Sequence, residues 1–353
     1  MMTRLRRPRR GVALLLLLVA IAILTVLAVE VAHRAQLNVR RSARVAQDLA
    51  FKRAFDSAKE AARGLLIESR TVPAFDYLGD AWSRPLNFDL GDGVAVRLRI
   101  QDESGKLNLR DAEGQSPTAR RTRQSIARIF AFLTRHDAAR AEHWKELEAQ
   151  VRARVGMPPA DAPAGVTTAA PGATAPLQTL DGLREAGVPM DAVFGRTHRA
   201  DDVDADGEVP ALSDLFTTFG NGMTNLNTAP QAVLYGLDEE FDDALTESIV
   251  RWRGGSEPAG SASFRAFKNP AQLELVSGIV RATVDKGVPQ TRSLYAKVRE
   301  RVTVRSSCFS AKIEVRVGAQ ARMGWAFFDV ADSVPGAAAK SAVTLRTFEE
   351  IEP

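Results

Sequence analysis

Apolar residues are concentrated in one unbroken run near the N-terminus. Residues 11–29 contain no charged side chain, and Thr25 is the only clearly polar residue among them. A bilayer core of about 30 Å requires about 20 apolar residues in a helix, so this run is just long enough to span a membrane. The apolar part of a cleaved secretory signal is shorter, about 7–15 residues. The pattern therefore predicts a membrane helix that the mature protein retains.

The helical pattern continues beyond the apolar run. Residues 30–63 contain neither proline nor glycine and consist mostly of good helix formers. Apolar side chains recur there at steps of three and four residues, as expected for a helix that buries one narrow face. We predict one continuous helix from Val12 to about Ile67, roughly 80 Å long. The face predicted to be buried comprises Val31, Ala35, Val39, Ala46, Leu49, Ala50, Ala54, Ala58, Ala61 and Leu65.

Alternating apolar and polar residues predict strands in two other parts of the chain. Residues 93–101 alternate and are followed by the turn-forming residues 102–105. Four further alternating patterns lie close together near the C-terminus. Their short spacing predicts that they form an antiparallel meander, which would pair with residues 93–101. The C-terminal patterns lie at residues 302–305, 312–317, 321–330 and 342–348.

The region between these two groups of strands has helical patterns. Residues 118–155 carry apolar side chains at helical spacing, whereas residues 156–176 are rich in Pro, Ala, Gly and Thr and predict a loop. Residues 225–255 have the pattern of a helix-hairpin-helix, continued by residues 267–273. The predicted fold class is therefore α+β. A long N-terminal transmembrane helix packs on an antiparallel sheet, and a large inserted α-helical domain contains a degenerate helix-hairpin-helix.

The positive net charge belongs to the N-terminus rather than to the body. The chain has 47 Lys and Arg against 43 Asp and Glu, and five of the arginines lie in the first ten residues. Removing these five leaves 42 basic residues against 43 acidic ones. Because the arginines precede the apolar run, they predict a cytoplasmic N-terminus and a body outside the cytoplasm.

The leader and the apolar helix resemble those of type IV pilin-like proteins. The resemblance rests on the basic leader, on Gly11, and on the sequence VALL at residues 12–15 that opens the helix. It implies that prepilin peptidase cleaves after Gly11, so that residues 1–11 are a removed leader peptide. It also implies that Val12 becomes a methylated N-terminus.

Two further motifs resemble the K-type minor pseudopilin of the type II (general) secretion pathway. One is the predicted strand ending in DESGKLNL at residues 102–109, and the other is the hairpin segment that begins NLNTA at residues 225–229. The resemblance implies the following domains: the transmembrane half of the first helix at 12–30, a pilin-like α/β part at 31–110, an inserted helical domain at 111–292 and the final pilin-like strands at 293–353.

The implied function is that of a non-catalytic minor pseudopilin in a type II secretion system. It would be anchored in the inner membrane by one helix, with a periplasmic body, and would cap or initiate the pseudopilus tip during export of folded proteins. The implied partners are the other minor pseudopilins, the major pseudopilin, prepilin peptidase and secreted substrates. The alternative is a membrane-anchored pilin-like or helix-hairpin-helix protein of a DNA-uptake or adhesion pilus.

The composition of the hairpin argues against nucleic acid as a partner. DNA-binding hairpins cradle a phosphate with the backbone amides of a Gly-x-Gly turn. Residues 236–243 instead contain one glycine and five carboxylates, which would repel a phosphate backbone. Enzyme motifs are also missing, because the four histidines form no cluster by spacing and no metalloprotease, serine-hydrolase or P-loop motif occurs. Cys308 is the only cysteine, so an internal disulfide is impossible.

One motif indicates a metal ligand. Asp202, Asp204, Asp206 and Glu208 follow the order of a calcium loop, in which alternate side chains and a glycine turn direct oxygens at one cation. Ser213 stands where an EF-hand has its bidentate acid. A solvated acidic loop and a calcium site of another kind both remain open. No metal site can be carried over from the acidic Asp-Trp stretch of the family, because this chain has HWKE at residues 143–146.

Leu16 is the fifth residue after the predicted cleavage site. The resemblance implies a glutamate at this position in most pilin-like proteins, where its carboxylate meets the N-terminal amine of the subunit above. A chain without that carboxylate has nothing with which to meet a subunit above it, so Leu16 predicts a place at the tip of the fibre. The competing interpretation is that Leu16 only strengthens the membrane anchor.

Overall fold

A computed structural model describes residues 10–70, 75–159, 176–195, 210–254, 265–285, 288–331 and 343–351. The helices in these ranges are α1 (Arg10–Ser69), α2 (Pro117–His136), α3 (Ala141–Arg154), α4 (Met190–Phe194), α5 (Leu212–Leu215), α6 (Gln231–Gly236), α7 (Asp243–Trp252) and α8 (Tyr295–Val298). The strands are β1 (Leu86–Asp89), β2 (Val94–Asp102), β3 (Leu107–Asn108), β4 (Phe216–Thr217), β5 (Thr224–Asn225), β6 (Val280–Asp285), β7 (Val288–Ser293), β8 (Val302–Thr303), β9 (Cys308–Val317), β10 (Gln320–Val330) and β11 (Val343–Ile351).

The first helix is continuous over 60 residues, as predicted. Its apolar N-terminal part is long enough to cross a membrane and has none of its surface buried against the rest of the described chain. Large apolar side chains remain exposed as far as Leu49, which is 45% exposed. From Phe51 onwards the helix packs on the sheet. The two halves of α1 therefore have different environments, and the change occurs near residue 50.

Five strands form the antiparallel sheet in the order β1-β2-β9-β10-β11. The predicted pairing of residues 93–101 with the C-terminal strands is correct, since Val94 to Asp102 pairs with Phe309 to Val317. The prediction that residues 302–305 belong to this meander is wrong. Val302 and Thr303 pair in parallel with Thr224 and Asn225 of β5 instead. A two-residue strand carries too little pattern to specify its partner, so period-two alternation alone assigned it to the wrong sheet.

The face of α1 that packs on the sheet overlaps the predicted one from residue 50 onward and includes two aromatic residues that were not predicted. Ala54 and Ala58 are buried as predicted, and Ala50, Ala61 and Leu65 pack against the same core. Leu49 is exposed, whereas Phe51 and Phe55 are buried against the sheet, where their large side chains bury more apolar surface than alanine does. The buried positions of α1 are Phe51, Ala54, Phe55, Ala58, Ala62 and Leu66.

All helices from α2 to α8 lie between β2 and β9 in the chain, as expected for an insertion into the sheet. Their apolar side chains form a second core that is separate from the core between α1 and the sheet. The predicted helix-hairpin-helix corresponds to α6 and α7, and residues 270–275 form a 3₁₀-helix after it. The ribbon of β6 and β7 was not predicted from the sequence.

Candidate functional site

The residues assigned to processing and to the tip lie at the start of α1. Gly11 and Val12 are part of this helix. Leu16 is 63% exposed in the apolar half, like its neighbours Leu15 and Leu17. No described part of the chain covers Leu16, so this surface of α1 is open to lipid or to another helix.

A clamp of charged side chains marks the point where α1 leaves the sheet. Arg322 of β10 forms ion pairs with Asp48 at 2.5 Å and with Glu350 of β11 at 3.4 Å. The same guanidinium lies 4.3 Å from the centre of the Phe51 ring, within the range of a cation–π contact. Hydrogen bonding to Asp48 is the main reason that the pKa of Arg322 is raised. The clamp therefore lies at the boundary between the exposed and the packed halves of α1.

A buried cluster of polar side chains joins the sheet to the inserted domain. We call it the polar junction and define it as Arg70, Asp76, Asp102, Glu103, Lys106, Thr217, Asn225, Thr228, Ser306 and Ser310, each of which is at most 9% exposed. Residues 102–105, expected from sequence to form a turn, do turn as a short 3₁₀-helix, but the helix is buried. Buried polar groups are costly unless they are hydrogen-bonded, so their partners matter.

Asp102 is the centre of the polar junction. One of its carboxylate oxygens accepts hydrogen bonds from Thr228 Oγ1 at 2.6 Å, Ser306 Oγ at 2.5 Å and Asn225 Nδ2 at 3.0 Å. Its other oxygen accepts from the backbone N–H of Ser104 at 2.8 Å. Burial raises the pKa of Asp102 to about 6, although these hydrogen bonds oppose the increase. One carboxylate thus connects the end of β2, the hairpin segment and the start of β9.

Glu103 forms the second half of the junction. Its carboxylate accepts from Lys106 Nζ at 2.5 Å, from Thr217 Oγ1 of β4 at 2.5 Å and from Ser310 Oγ of β9 at 2.6 Å. Lys106 also donates to Gln101 Oε1 at 3.1 Å. Because the Glu103–Lys106 pair is both buried and paired, removal of either partner would leave an uncompensated charge.

Arg70 and Asp76 extend the junction to the end of α1. Arg70 Nη2 lies 3.1 Å from Asp76 Oδ2, and the same Arg70 nitrogen donates to the carbonyl of Ser306. The backbone N–H of Ser306 donates to Asp76 Oδ2 at 2.7 Å. Burial is the main cause of the raised pKa of Asp76, and the charge of Arg70 opposes it. The C-terminal end of α1 is therefore tied to the segment through which the chain returns to the sheet.

Gly105 is required by the close approach of two segments in the junction. A Cβ atom at this position would lie 2.7 Å from Thr228 Oγ1, 3.2 Å from the backbone carbon of Thr228 and 3.3 Å from Ala229 N. These distances are shorter than side-chain contacts normally are, and the latter two involve backbone atoms that cannot move aside easily. The motif DESGKLN therefore needs glycine here for space, and not for a left-handed backbone.

The turn between α6 and α7 is held by basic side chains of its own domain. Arg128 donates to the carbonyls of Tyr235 and Phe241, each at 3.0 Å. Glu240 pairs with Lys297 at 2.5 Å and with Arg292 at 3.2 Å. The hydrogen bond from Lys297 is the main cause of the lowered pKa of Glu240. Glu240, one of the five carboxylates that argue against DNA binding, thus has internal basic partners.

The candidate calcium ligands Asp202, Asp204, Asp206 and Glu208 lie outside the described residues. Among the residues that are described, no group of three or more His, Cys, Asp or Glu side chains is arranged to hold a metal ion. Cys308 is buried in β9, and burial raises the pKa of its thiol. A buried thiol of this kind lacks the thiolate character and access needed for nucleophilic chemistry.

Comparison with known proteins gives one sequence match of substantial identity. No protein-family model matches the chain. Type II secretion system protein K of Pseudomonas aeruginosa is 36% identical to it over 115 residues, which are 30% of this chain and 34% of the relative. The match therefore spans about a third of the relative's length.

Comparison with solved structures gives the fold. A chain in the crystal structure of the GspK–GspI–GspJ complex from the enterotoxigenic Escherichia coli type 2 secretion system superimposes with a TM-score of 0.53. The superposition covers 88% of this chain and 100% of that one, at 15% sequence identity. The resemblance to a K-type minor pseudopilin is confirmed. The predicted fold class, pilin-like α+β with an inserted helical domain, is confirmed as well.

The two motifs of the K-type resemblance contain part of the polar junction, but the sequence does not predict that this part is buried. Asp102 and Glu103 belong to a predicted turn, where such residues usually meet solvent. Their partners come from residues 217, 225, 228, 306 and 310, more than a hundred positions away in the chain. The sequence signals were these two motifs and the density of polar residues in each segment, and neither distinguishes burial from exposure.

Proposed function

We propose that this chain is a minor pseudopilin of a type II secretion system and works by assembly rather than by catalysis. The observation that carries the proposal is the 36% identity to Type II secretion system protein K in a chain whose whole fold also matches. The 60-residue helix α1, apolar in its first half and packed in its second, supports the same assignment.

The proposed location is the inner membrane, with the body in the periplasm. The apolar part of α1 is the single anchor among the described residues. The five arginines before it keep the N-terminus in the cytoplasm. Prepilin peptidase then cleaves between Gly11 and Val12, the leader is removed, and Val12 is methylated.

Mass spectrometry of the N-terminal peptide from membrane-purified protein tests this processing. The expected peptide begins with methylated Val12 and contains no leader arginine. A Gly11→Val variant is expected to keep residues 1–11, because the small residue before the cleaved bond is removed. An intact N-terminus in the wild-type chain, or cleavage beyond Val29, would contradict the proposal.

The proposed partners are the other minor pseudopilins and the major pseudopilin. The matched crystal structure is of a complex that contains GspK, GspI and GspJ. By analogy we infer that this chain forms a complex with the corresponding minor subunits of its own system, and that secreted substrates contact the assembled fibre. Co-purification of the full chain with those subunits from detergent-solubilised membranes tests the inference.

We further propose that the chain occupies the tip of the fibre. An unpaired carboxylate inside the apolar helix would be costly, so a glutamate at the fifth mature position is useful only where a subunit above supplies an amine. This chain has Leu16 there. The inserted domain, with its helices α2 to α8, also adds bulk that would obstruct stacking of another subunit on top.

Labelled protein in assembled fibres distinguishes a tip position from a place along the shaft. We expect the wild-type label at fibre ends only. Leu16→Glu is expected to appear along the shaft or to fail in initiation, while Leu18→Glu, an equally exposed position two residues further on, is the matched control. Wild-type label distributed along the shaft would exclude the tip. If both variants behaved alike, Leu16 would serve only the membrane anchor.

A further inference from the structure

One side of the sheet carries an exposed surface rich in basic residues. We call it the basic face and define it as Arg97, Arg99, Lys312 and Arg316. On β2 and β9, side chains alternate between the core with α1 and the opposite side. These four residues are on the side opposite α1. In register, Arg99 is directly opposite Lys312 on the neighbouring strand, Arg97 is opposite Glu314, and Arg316 is opposite Ala95.

The three arginines have no partner within the described part of the chain. Arg97, Arg99 and Arg316 are all exposed, and none of them forms a hydrogen bond or ion pair with a described residue. Lys312 reaches Glu314 only at 4.0 Å. Like charges directly across two strands are destabilising, so the Arg99–Lys312 pair works against the stability of the isolated sheet. Glu314 offsets part of the charge of Arg97 across the strands, whereas neither Arg99 nor Arg316 has an acidic residue directly opposite.

This face has an excess of basic residues although the body as a whole does not. Without the leader arginines, the chain has 42 basic residues against 43 acidic ones. On this side of β1, β2 and β9 the four basic residues face two acidic ones, Glu314 and Asp89. The inserted domain covers the neighbouring part of the same side, where Phe194 packs on Trp325 and Phe219 stacks on Phe327. The basic face is therefore the part of this side that the described residues of the insertion do not cover.

The position of the basic face argues against a lipid surface as its ligand. Arg322 clamps α1 to the sheet at Asp48, and the apolar run ends at Val29. The helix between these points has about 18 residues and is about 27 Å long. The potential of an anionic membrane falls off within about 8–10 Å at physiological salt. The arginines are thus too far above the bilayer to be held by its headgroups.

We propose that the basic face docks an acidic surface of a neighbouring pseudopilin subunit. The inference rests on the proposed function for the identity of the partner and adds the surface that recognises it. Exposed arginines with free guanidinium groups suit carboxylates, because the guanidinium fork can bind a carboxylate through two hydrogen bonds. The partner's acidic side chains would also relieve the repulsion between Arg99 and Lys312. The sheet thereby fixes which face of the neighbour it meets.

Charge reversal on the basic face tests this inference. The full chain in detergent micelles is immobilised, and each of the other minor pseudopilins of the same system is applied as the probe. For the triple variant Arg97→Glu, Arg99→Glu, Arg316→Glu we expect the Kd to rise at least about tenfold for one of these subunits. The matched control is Arg120→Glu, Arg184→Glu, Arg299→Glu, which changes the net charge equally at exposed positions of the insertion. The control is expected to bind like the wild type.

Stability measurements keep the test independent of misfolding. Arg99→Glu places a carboxylate opposite Lys312, so this variant is expected to melt no lower than the wild type while binding more weakly. If the basic-face triple binds as tightly as the wild type, the inference is overturned and the proposed function stands. If the wild-type chain binds none of the subunits, the proposed function fails first and the inference fails with it.

Two other results would reassign the face. A short DNA duplex that binds the wild type but not the basic-face triple would identify a phosphate ligand and overturn the protein partner. Unchanged binding of the triple to every subunit, with a melting temperature lowered by more than Arg97→Glu alone lowers it, would mean that another part of this chain occupies the face, since Arg97→Glu by itself places a carboxylate opposite Glu314. A wild-type Kd that rises with added salt, together with loss of binding in the triple, supports the proposal.

Discussion

Replacing Asp102 by asparagine should change the pH dependence of stability. The pKa of Asp102 is about 6 in the folded chain, against an ordinary value of 3.8. A raised pKa means that the folded state binds a proton more readily than the unfolded state. Protonation of Asp102 therefore stabilises the folded state, and this stabilisation is complete below the unfolded pKa. The stabilisation is lost as the pH rises through about 6.

The size of the effect follows from the two pKa values. At about 1.4 kcal/mol for each pH unit between them, the total is about 3 kcal/mol in the free energy of unfolding, reached only below about pH 4. Between pH 8 and pH 5 the expected gain of the wild type is about 1.4 kcal/mol. Asp102→Asn cannot titrate and loses this gain. The NH₂ group of asparagine also cannot accept a hydrogen bond, so at least one of the four donors loses its acceptor. This loss lowers the free energy of unfolding by about 1–3 kcal/mol at every pH.

Urea unfolding of the full chain in detergent, followed by tryptophan fluorescence, measures this difference. Trp82 lies in the core between α1 and the sheet, and Trp144 lies in the core of the insertion, so both cores are observed. The free energy of the wild type minus that of Asp102→Asn should increase as the pH falls from 8 to 5. Asp191→Asn makes the same chemical change at an exposed position and is the matched control. A difference that is constant over this range, or that decreases, would refute the reasoning.

Two further predictions concern Gly105 and the acidic loop. Gly105→Ala should destabilise the chain by about 1–3 kcal/mol through overpacking against Thr228. The control Gly64→Ala, at a helical position with no atom within 4 Å, should be neutral or stabilising by about 0.5–1 kcal/mol. Equal urea unfolding midpoints for the two variants would contradict this prediction. If Asp202, Asp204, Asp206 and Glu208 hold calcium, the melting temperature should rise by several degrees with the ion. Equal melting temperatures with calcium and with chelator, or the same rise after Asp204→Asn and Asp206→Asn, would leave a solvated acidic loop.

The elements with strong, long patterns were predicted well from the sequence. The absence of proline and glycine from residues 30–63 was enough to predict α1, and the alternation of residues 93–101 was enough to predict β2 and its pairing. Both signals are local, because they depend on the backbone conformation that each residue favours. The burial of Phe51 and Phe55 beside Ala54 and Ala58 could not be predicted in this way, because it depends on the sheet that packs on the helix.

The polar junction could not have been assembled from the sequence for a similar reason. Asp102 accepts hydrogen bonds from Asn225, Thr228 and Ser306. These residues lie close to Asp102 only because the chain leaves the sheet into the insertion and returns to it at the same place. Each of these residues is common in turns. Only the fold shows that their hydrogen bonds are satisfied by one another in the interior, and that Gly105 is needed for space.

The unbroken first helix makes the position of the body depend on the tilt of its anchor. Bends in helices usually need proline, glycine or serine pairs, and residues 30–63 contain no proline or glycine. From the middle of the apolar run to Phe55 the helix is about 50 Å long. A transmembrane tilt of about 20°, which is average, therefore carries the sheet about 17 Å sideways over the bilayer. Because α1 is continuous between the lipid anchor and the clamp at Arg322, the tilt of the anchor determines where the body lies above the bilayer and which neighbours it can contact.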